Sequence, residues 1–146
     1  MSSPDLVFYF NVRNREQALC QLVGKALAQG LEIVVHTASE SASHEVDRLL
    51  WSVPQTGFLP HCPADDARAT RTPVIVDHRA ELLPDRAVVF NWTSGTLTPA
   101  AACQRLIEIV DQDEDNRLRA RDRWRSYQSA GLTPRAIDLQ ELASRG

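Results

Sequence analysis

Glycine is scarce in this chain, with six in 146 residues and none clustered behind the first apolar segment. The dinucleotide fingerprint G-x-G-x-x-G and the phosphate loop G-x-x-x-x-G-K-[ST] are both absent, which leaves nucleotide binding of that kind without support. Cysteine is equally sparse. Cys20, Cys62 and Cys103 are odd in number and hold no C-x-x-C pair, which fits reduced thiols rather than a disulfide framework. The four histidines, His36, His44, His61 and His78, lack metal-ligand spacing, so no metal and no cofactor is expected. No apolar run approaches the roughly 18 residues that cross a bilayer. Met1 to Asp5 has no basic region leading into an apolar core, so a cytoplasmic location is expected and a membrane partner is not. A net charge of −3 and an isoelectric point near 5.8 argue against a partner gathered by an overall basic field.

What is present suits one α/β domain over residues 1–146, with 43% hydrophobic and 24% charged residues. Leu6-Val7-Phe8-Tyr9-Phe10 reads as a buried strand. A helix follows from Arg15 to Gln29, stopped by Gly30. Glu32 to His36 reads as a strand buried on both faces, and Thr37 to Ser43 supplies N-caps for a helix ending near Trp51. This strand-helix alternation predicts a mostly parallel sheet flanked by helices.

The stretch Ser52 to Arg71 reads as a long structured loop. Pro73–Asp77 and Ala87–Asn91 read as strands whose short link predicts an antiparallel pair if they are adjacent, with the Pro-started strand nearer an edge. Thr98-Pro99 reads as a helix start, with Cys103, Leu106, Ile107 and Val110 as its inward face. Cys20 and Cys103 then both sit on apolar helix faces as small buried hydrophobes. Residues 132–146 read as a tail that docks or frays, with no assigned role.

The richest segment runs from Asp113 to Tyr127, where arginine takes every second position from Arg117 to Arg125, five of the chain's 16 basic residues. A helix advances about 100° per residue, so Arg117, Arg121 and Trp124 fall within roughly 60° of one another while Arg119 and Arg123 point away. Two guanidiniums beside one indole suit a partner that offers a carboxylate and an aromatic ring. A solvated amphipathic helix with a half-buried Trp has the same spacing. Direct binding of single-stranded nucleic acid by this run is disfavoured by the interspersed Asp113, Glu114, Asp115 and Asp122.

One catalytic pattern matches formally. Cys62, five residues and Arg68, preceded by His61, follow the signature of cysteine-dependent phosphatases. Asp65 and Asp66 inside that loop would repel a phosphate dianion, the usual loop glycine is missing, and no clear strand leads into Cys62. This small phosphatase is the alternative from a different functional class.

Several segments in fixed order resemble the chi subunit of bacterial DNA polymerase III, a clamp-loader accessory protein. They are the Phe8-Tyr9 strand, Ala18-Leu19-Cys20 followed by Gly30, Asp47-Arg48-Leu49-Leu50-Trp51, Phe58-Leu59-Pro60-His61, and Ala120 to Tyr127 followed by Gly131. The resemblance implies a Rossmann-like fold without a nucleotide-binding loop and a non-enzymatic adaptor role in DNA replication. It implies binding of the C-terminal tail of single-stranded DNA-binding protein, an acidic peptide ending in Pro-Phe, with no direct contact to nucleic acid. The matching positions are Arg117, Arg121 and Trp124, with Val110 as an apolar neighbour. Arginine stands at 117 where the family has a Lys-like residue, and Trp at 124 where it has Tyr. A second surface is implied for a psi subunit of the clamp loader, where one is present, through Trp51, Phe58, Leu59 and Pro60. Phe58 reads equally well as a plug of its own core.

Overall fold

The computed structural model describes residues 4–52 and 59–141. Seven strands, β1 (Asp5–Val12), β2 (Ile33–Thr37), β3 (His61–Cys62), β4 (Val74–Asp77), β5 (Val88–Trp92), β6 (Arg105–Asp111) and β7 (Arg135–Asp138), form one sheet in the order β3-β4-β2-β5-β6-β1-β7. Every pairing is parallel. Among the described residues three α-helices, α1 (Arg15–Ala28), α2 (Glu40–Trp51) and α3 (Glu114–Ser129), cover it.

Local chemistry sets the helix ends. Asn14, Ser39 and Asp113 each accept a hydrogen bond from the backbone N–H three residues on, satisfying a donor the helix cannot. Gly30 and Gly131 end α1 and α3 at φ of +77° and +91°, a conformation open to a residue without Cβ. In both, the next residue's N–H reaches back into the last turn, Leu31 to Ala26 and Leu132 to Tyr127.

Side chains alternate across the sheet, and the two helices nearest β6 take opposite faces. Ile107 and Ile109 of β6 join Leu19, Val23 and Ala26 of α1 and Val46 and Leu50 of α2 in the larger core. Leu106 and Val110 instead meet Ala120 and Tyr127 of α3, with Leu6 and Phe8 of β1. The crossover from β1 travels toward one edge of the sheet and that from β6 toward the other. Between the carboxyl ends of these adjacent strands lies a topological switch point, where open α/β sheets commonly leave a crevice.

Three expectations need correction. Thr98 to Val110 is not a helix; residues 105–111 form β6, and Cys103 precedes that strand. The helical spacing of Cys103, Leu106, Ile107 and Val110 was a coincidence of a segment buried on both faces, the pattern of a central parallel strand. β4 and β5 are neither adjacent nor antiparallel, because β2 lies between them and both pair with it in parallel. Their link crosses over with only a 3-10 turn at Ala80–Leu82, tied down by the buried Arg86, which donates to the carbonyls of Thr72 (2.7 Å) and Ala69 (2.9 Å). The segment read as loop contains a two-residue strand near its middle, β3, so a strand does carry Cys62. Of the two expected behaviours of the tail, its described part docks, since β7 pairs with β1 as the far edge of the sheet.

Leu19 is fully enclosed in the larger core. Leu19→Ala should cost about 3 kcal/mol in urea unfolding. Arg135→Ala, which breaks the exposed pair with Asp5, should cost less than about 1 kcal/mol.

Candidate peptide-binding groove

α3 is an unusually polar helix whose buried residues are Ala120 and Tyr127. That narrow stripe sits on β1 and β6, so its arginines divide between two flanks. Arg117, Arg121 and Trp124 line a groove of about 450 Å³ against the sheet, with Val110 on its wall. β1 contributes Phe8 and Phe10, and β7 contributes Ala136. All four residues singled out by helical spacing and by the resemblance therefore meet in one cavity.

The groove is two-natured. Trp124 is half-buried and its ring lies 5.0 Å from that of Phe8 at an interplanar angle of 57°. Val110 is buried, and Phe10 leaves 39% of its surface exposed, a large apolar side chain on the open side. Above this apolar surface, the exposed Arg117 and Arg121 form no salt bridge with any described residue. One end is closed by a polar clasp. Asn11, at φ +59° where the β1–β6 register shifts, accepts from Gln112 Nε2 (2.9 Å) and donates to Asp138 (3.2 Å). Chemically, this arrangement fits an extended peptide carrying an apolar side chain and a carboxylate.

Phe8, Phe10, Asn11 and Ala136 were missed from the sequence. Phe8 and Phe10 carried a signal, because residues two apart on a strand share a face. Ala136 carried none, since its tail gave no strand pattern.

On the other flank, Arg123 turns to the buried Glu108 of β6, Nε to Oε1 at 3.0 Å. Tyr127 Oη and Asn91 Nδ2 both donate to Glu108 Oε2, at 2.7 and 2.6 Å. Burial pushes the Glu108 carboxyl upward, and the Arg123 charge and the hydrogen bonds of Tyr127 and Asn91 draw it back. Burial likewise raises the Tyr127 phenol. Arg15 donates from Nε to the Ile109 carbonyl, and its guanidinium lies 4.0 Å from the Trp92 ring centroid.

The second anticipated surface is only partly gathered. Trp51 is 58% exposed, with its ring 5.1 Å from that of His61. His61 is buried, with Nε2 3.0 Å from the Asp47 carboxylate and Nδ1 2.6 Å from the Leu59 carbonyl. Pro60 is partly exposed, whereas Leu59 is buried in the larger core at 4% exposure. Phe58 lies outside the described residues.

The Cys62–Arg68 loop does not shape a phosphate cradle. Cys62 is buried at the end of β3, and Asp66 takes the Arg68 backbone N–H and side chain. The Ala64 N–H donates to Asp77 instead of pointing to an open anion site. Burial raises the thiols of Cys20, to about 11, and of Cys103. Among the described residues no group of His, Cys, Asp and Glu is arranged to hold a metal ion, and no helix is long and apolar enough to cross a membrane.

A parallel α/β sheet flanked by helices, with a groove of about 450 Å³ beside an arginine-rich helix, defines the class as a single Rossmann-like α/β domain. The model of the family described as DNA polymerase III chi subunit, HolC, matches residues 4–135. A DNA polymerase III subunit chi from Pseudomonas aeruginosa is 32% identical over 118 residues, covering 80% of this chain and 81% of that protein. Those of Escherichia coli and Haemophilus influenzae are each 22% identical, over 80% of this chain and 80% and 81% of their own lengths. The chain belongs to the DNA polymerase III chi subunit family, whose members are accessory subunits of a replicase rather than catalytic enzymes.

The Arg79 side chain, with the N–H groups of Arg79 and Ala64, holds Asp77 far below the usual carboxylate range. A carboxyl depressed in the folded state stabilises fully above its unfolded pKa, about 4, and that stabilisation is lost as pH falls through the folded value. Asp77→Asn should therefore be less stable than wild type at pH 7, with the gap narrowing steadily below about pH 4 in pH-dependent urea unfolding.

Proposed function

We propose that this chain is a non-enzymatic adaptor of the DNA polymerase III clamp loader, linking the replicase to coated single-stranded DNA. Its groove beneath α3 receives the C-terminal tail of single-stranded DNA-binding protein. The observation that carries this reading is the pairing, in one cavity, of two guanidiniums lacking carboxylate partners among the described residues with an aromatic and aliphatic wall. Arg121 forks onto the peptide's terminal carboxylate, a geometry a guanidinium satisfies with two parallel hydrogen bonds. Trp124 and Val110 flank its terminal Phe ring, and Arg117 meets its upstream acids.

The partner's chemistry follows from charge. With a net charge of −3 overall, attraction of nucleic acid to the chain is not general, and the acids of the first turn of α3 stand beside its arginines. A short peptide held by so small an interface binds in the micromolar range, and several tails on one coated strand raise the effective affinity. Binding weakens with salt, because the contacts are largely ionic and exposed. A second surface, Trp51 with Pro60, meets the psi subunit of the clamp loader where one exists; the 58% exposure of a tryptophan supports this, as large aromatics anchor interfaces.

Fluorescence anisotropy of a labelled peptide copying about the last ten residues of the organism's own single-stranded DNA-binding protein tests the reading. Wild type should bind saturably. Arg121→Ala and Trp124→Ala should each weaken binding about tenfold or more, as should removal of the peptide's terminal Phe. Absence of saturable binding by folded wild type would contradict it.

A further inference from the structure

We infer that Glu108, which does not line the groove, is the positioning residue that sets the rotation of α3 and so aims Arg121 into the groove; this rests on the peptide-binding reading above. α3 has little apolar surface with which to fix its own orientation, because only Ala120 and Tyr127 are buried and Trp124 is half-buried. A polar helix seated on so thin a stripe rolls easily about its axis. What opposes rolling is a pair of anchors one turn apart, Arg123 on the flank away from the groove and Tyr127 in the buried stripe. Arg123 Nε reaches one Glu108 oxygen at 3.0 Å and Tyr127 Oη the other at 2.7 Å.

Glu108 is itself held rigidly. It sits in the centre of β6 at 1% exposure, and Asn91 of neighbouring β5 donates to it at 2.6 Å. The same amide also donates to the Gly95 carbonyl at 2.7 Å, and the Leu97 N–H donates to the Tyr127 hydroxyl at 3.2 Å, so the loop after β5 is fastened to the helix as well. Arg123 and Trp124 are consecutive and therefore about 100° apart on the helix. Fixing Arg123 on one flank places Trp124 against Phe8 on the other, with Arg121 above the same wall. A buried carboxylate is costly unless fully hydrogen-bonded, and each oxygen here has a donor.

The test compares an acidic peptide ending in Pro-Phe with the same peptide amidated at its C-terminus. Wild type should prefer the free carboxylate roughly tenfold, through Arg121. In Glu108→Gln and in Tyr127→Phe, measured where circular dichroism shows each folded, that preference should fall to about twofold or less. The double variant should be no worse than the weaker single, because both act through one network. A purely structural Glu108 would lower the melting temperature and leave the carboxylate preference intact, and that result overturns the inference. If Glu108→Gln fails to fold, Tyr127→Phe, which keeps the ring's packing, decides by the same criterion. A wild type that does not distinguish the two peptides overturns the groove reading and this inference together, whereas a discriminating wild type matched by its folded variants overturns this inference alone.

Discussion

A strand buried on both faces has to be covered twice, and in this molecule that strand is β6. Its residues Leu106 and Val110 face α3 while Ile107 and Ile109 face α1, so the chain places one helix on each side of the same strand. Because the crossovers from β1 and β6 depart in opposite directions, neither helix closes the carboxyl ends of these two neighbours. The groove exists there for that reason. Its floor is the hydrophobic sheet surface at the margin of α3, and β7 extends that surface under the outer wall.

The placement of charge follows from the same constraint. A helix that covers only part of its strand can bury a narrow stripe and leaves the rest in water. Arginine at alternate positions therefore lands on both flanks, and the two flanks differ in what they meet. Arg123 finds a buried carboxylate and is neutralised, whereas Arg117 and Arg121 face a cavity with no carboxylate partner among the described residues. An unneutralised pair beside apolar surface is suited to a ligand that is anionic and apolar at once. Nucleotide-binding α/β proteins place glycine-rich turns at equivalent positions to approach phosphates closely. Here the corresponding corners carry Asn11, which joins Gln112 to Asp138, and Asp111, which accepts from the Asn116 side chain, and they leave recognition to side chains.

Much of this was legible in residue spacing, and the failures have physical causes. The alternation of strand and helix over the first fifty residues was clear because each element carries its own caps and a regular apolar period. The face shared by Arg117, Arg121 and Trp124 followed from helical geometry, which is local. β6 was misread because Cys103, Leu106, Ile107 and Val110 match helical spacing, and because a central strand has no alternation to betray it. Glu108 can be buried in that strand because of its tertiary partners Arg123, Tyr127 and Asn91. β7 was invisible for a related reason. Four edge residues gain their strand conformation from pairing with β1, with no strong propensity of their own. Ala136, on the far wall of the groove, depended on that pairing and could not be assembled from local pattern, whereas Phe10 shares a strand face with Phe8.

The central claim is that an acidic, Phe-terminated peptide occupies the space between α3, β1 and β7. Its most direct test is a nuclear magnetic resonance titration of uniformly ¹⁵N-labelled protein with the unlabelled tail peptide. The account predicts that the Trp124 indole N–H, the Arg121 Nε–H and the backbone amides of Phe10 and Ala136 shift together along one saturable curve. Shifts confined to Trp51, Pro60 neighbours or α1, with those four signals unmoved, would contradict it.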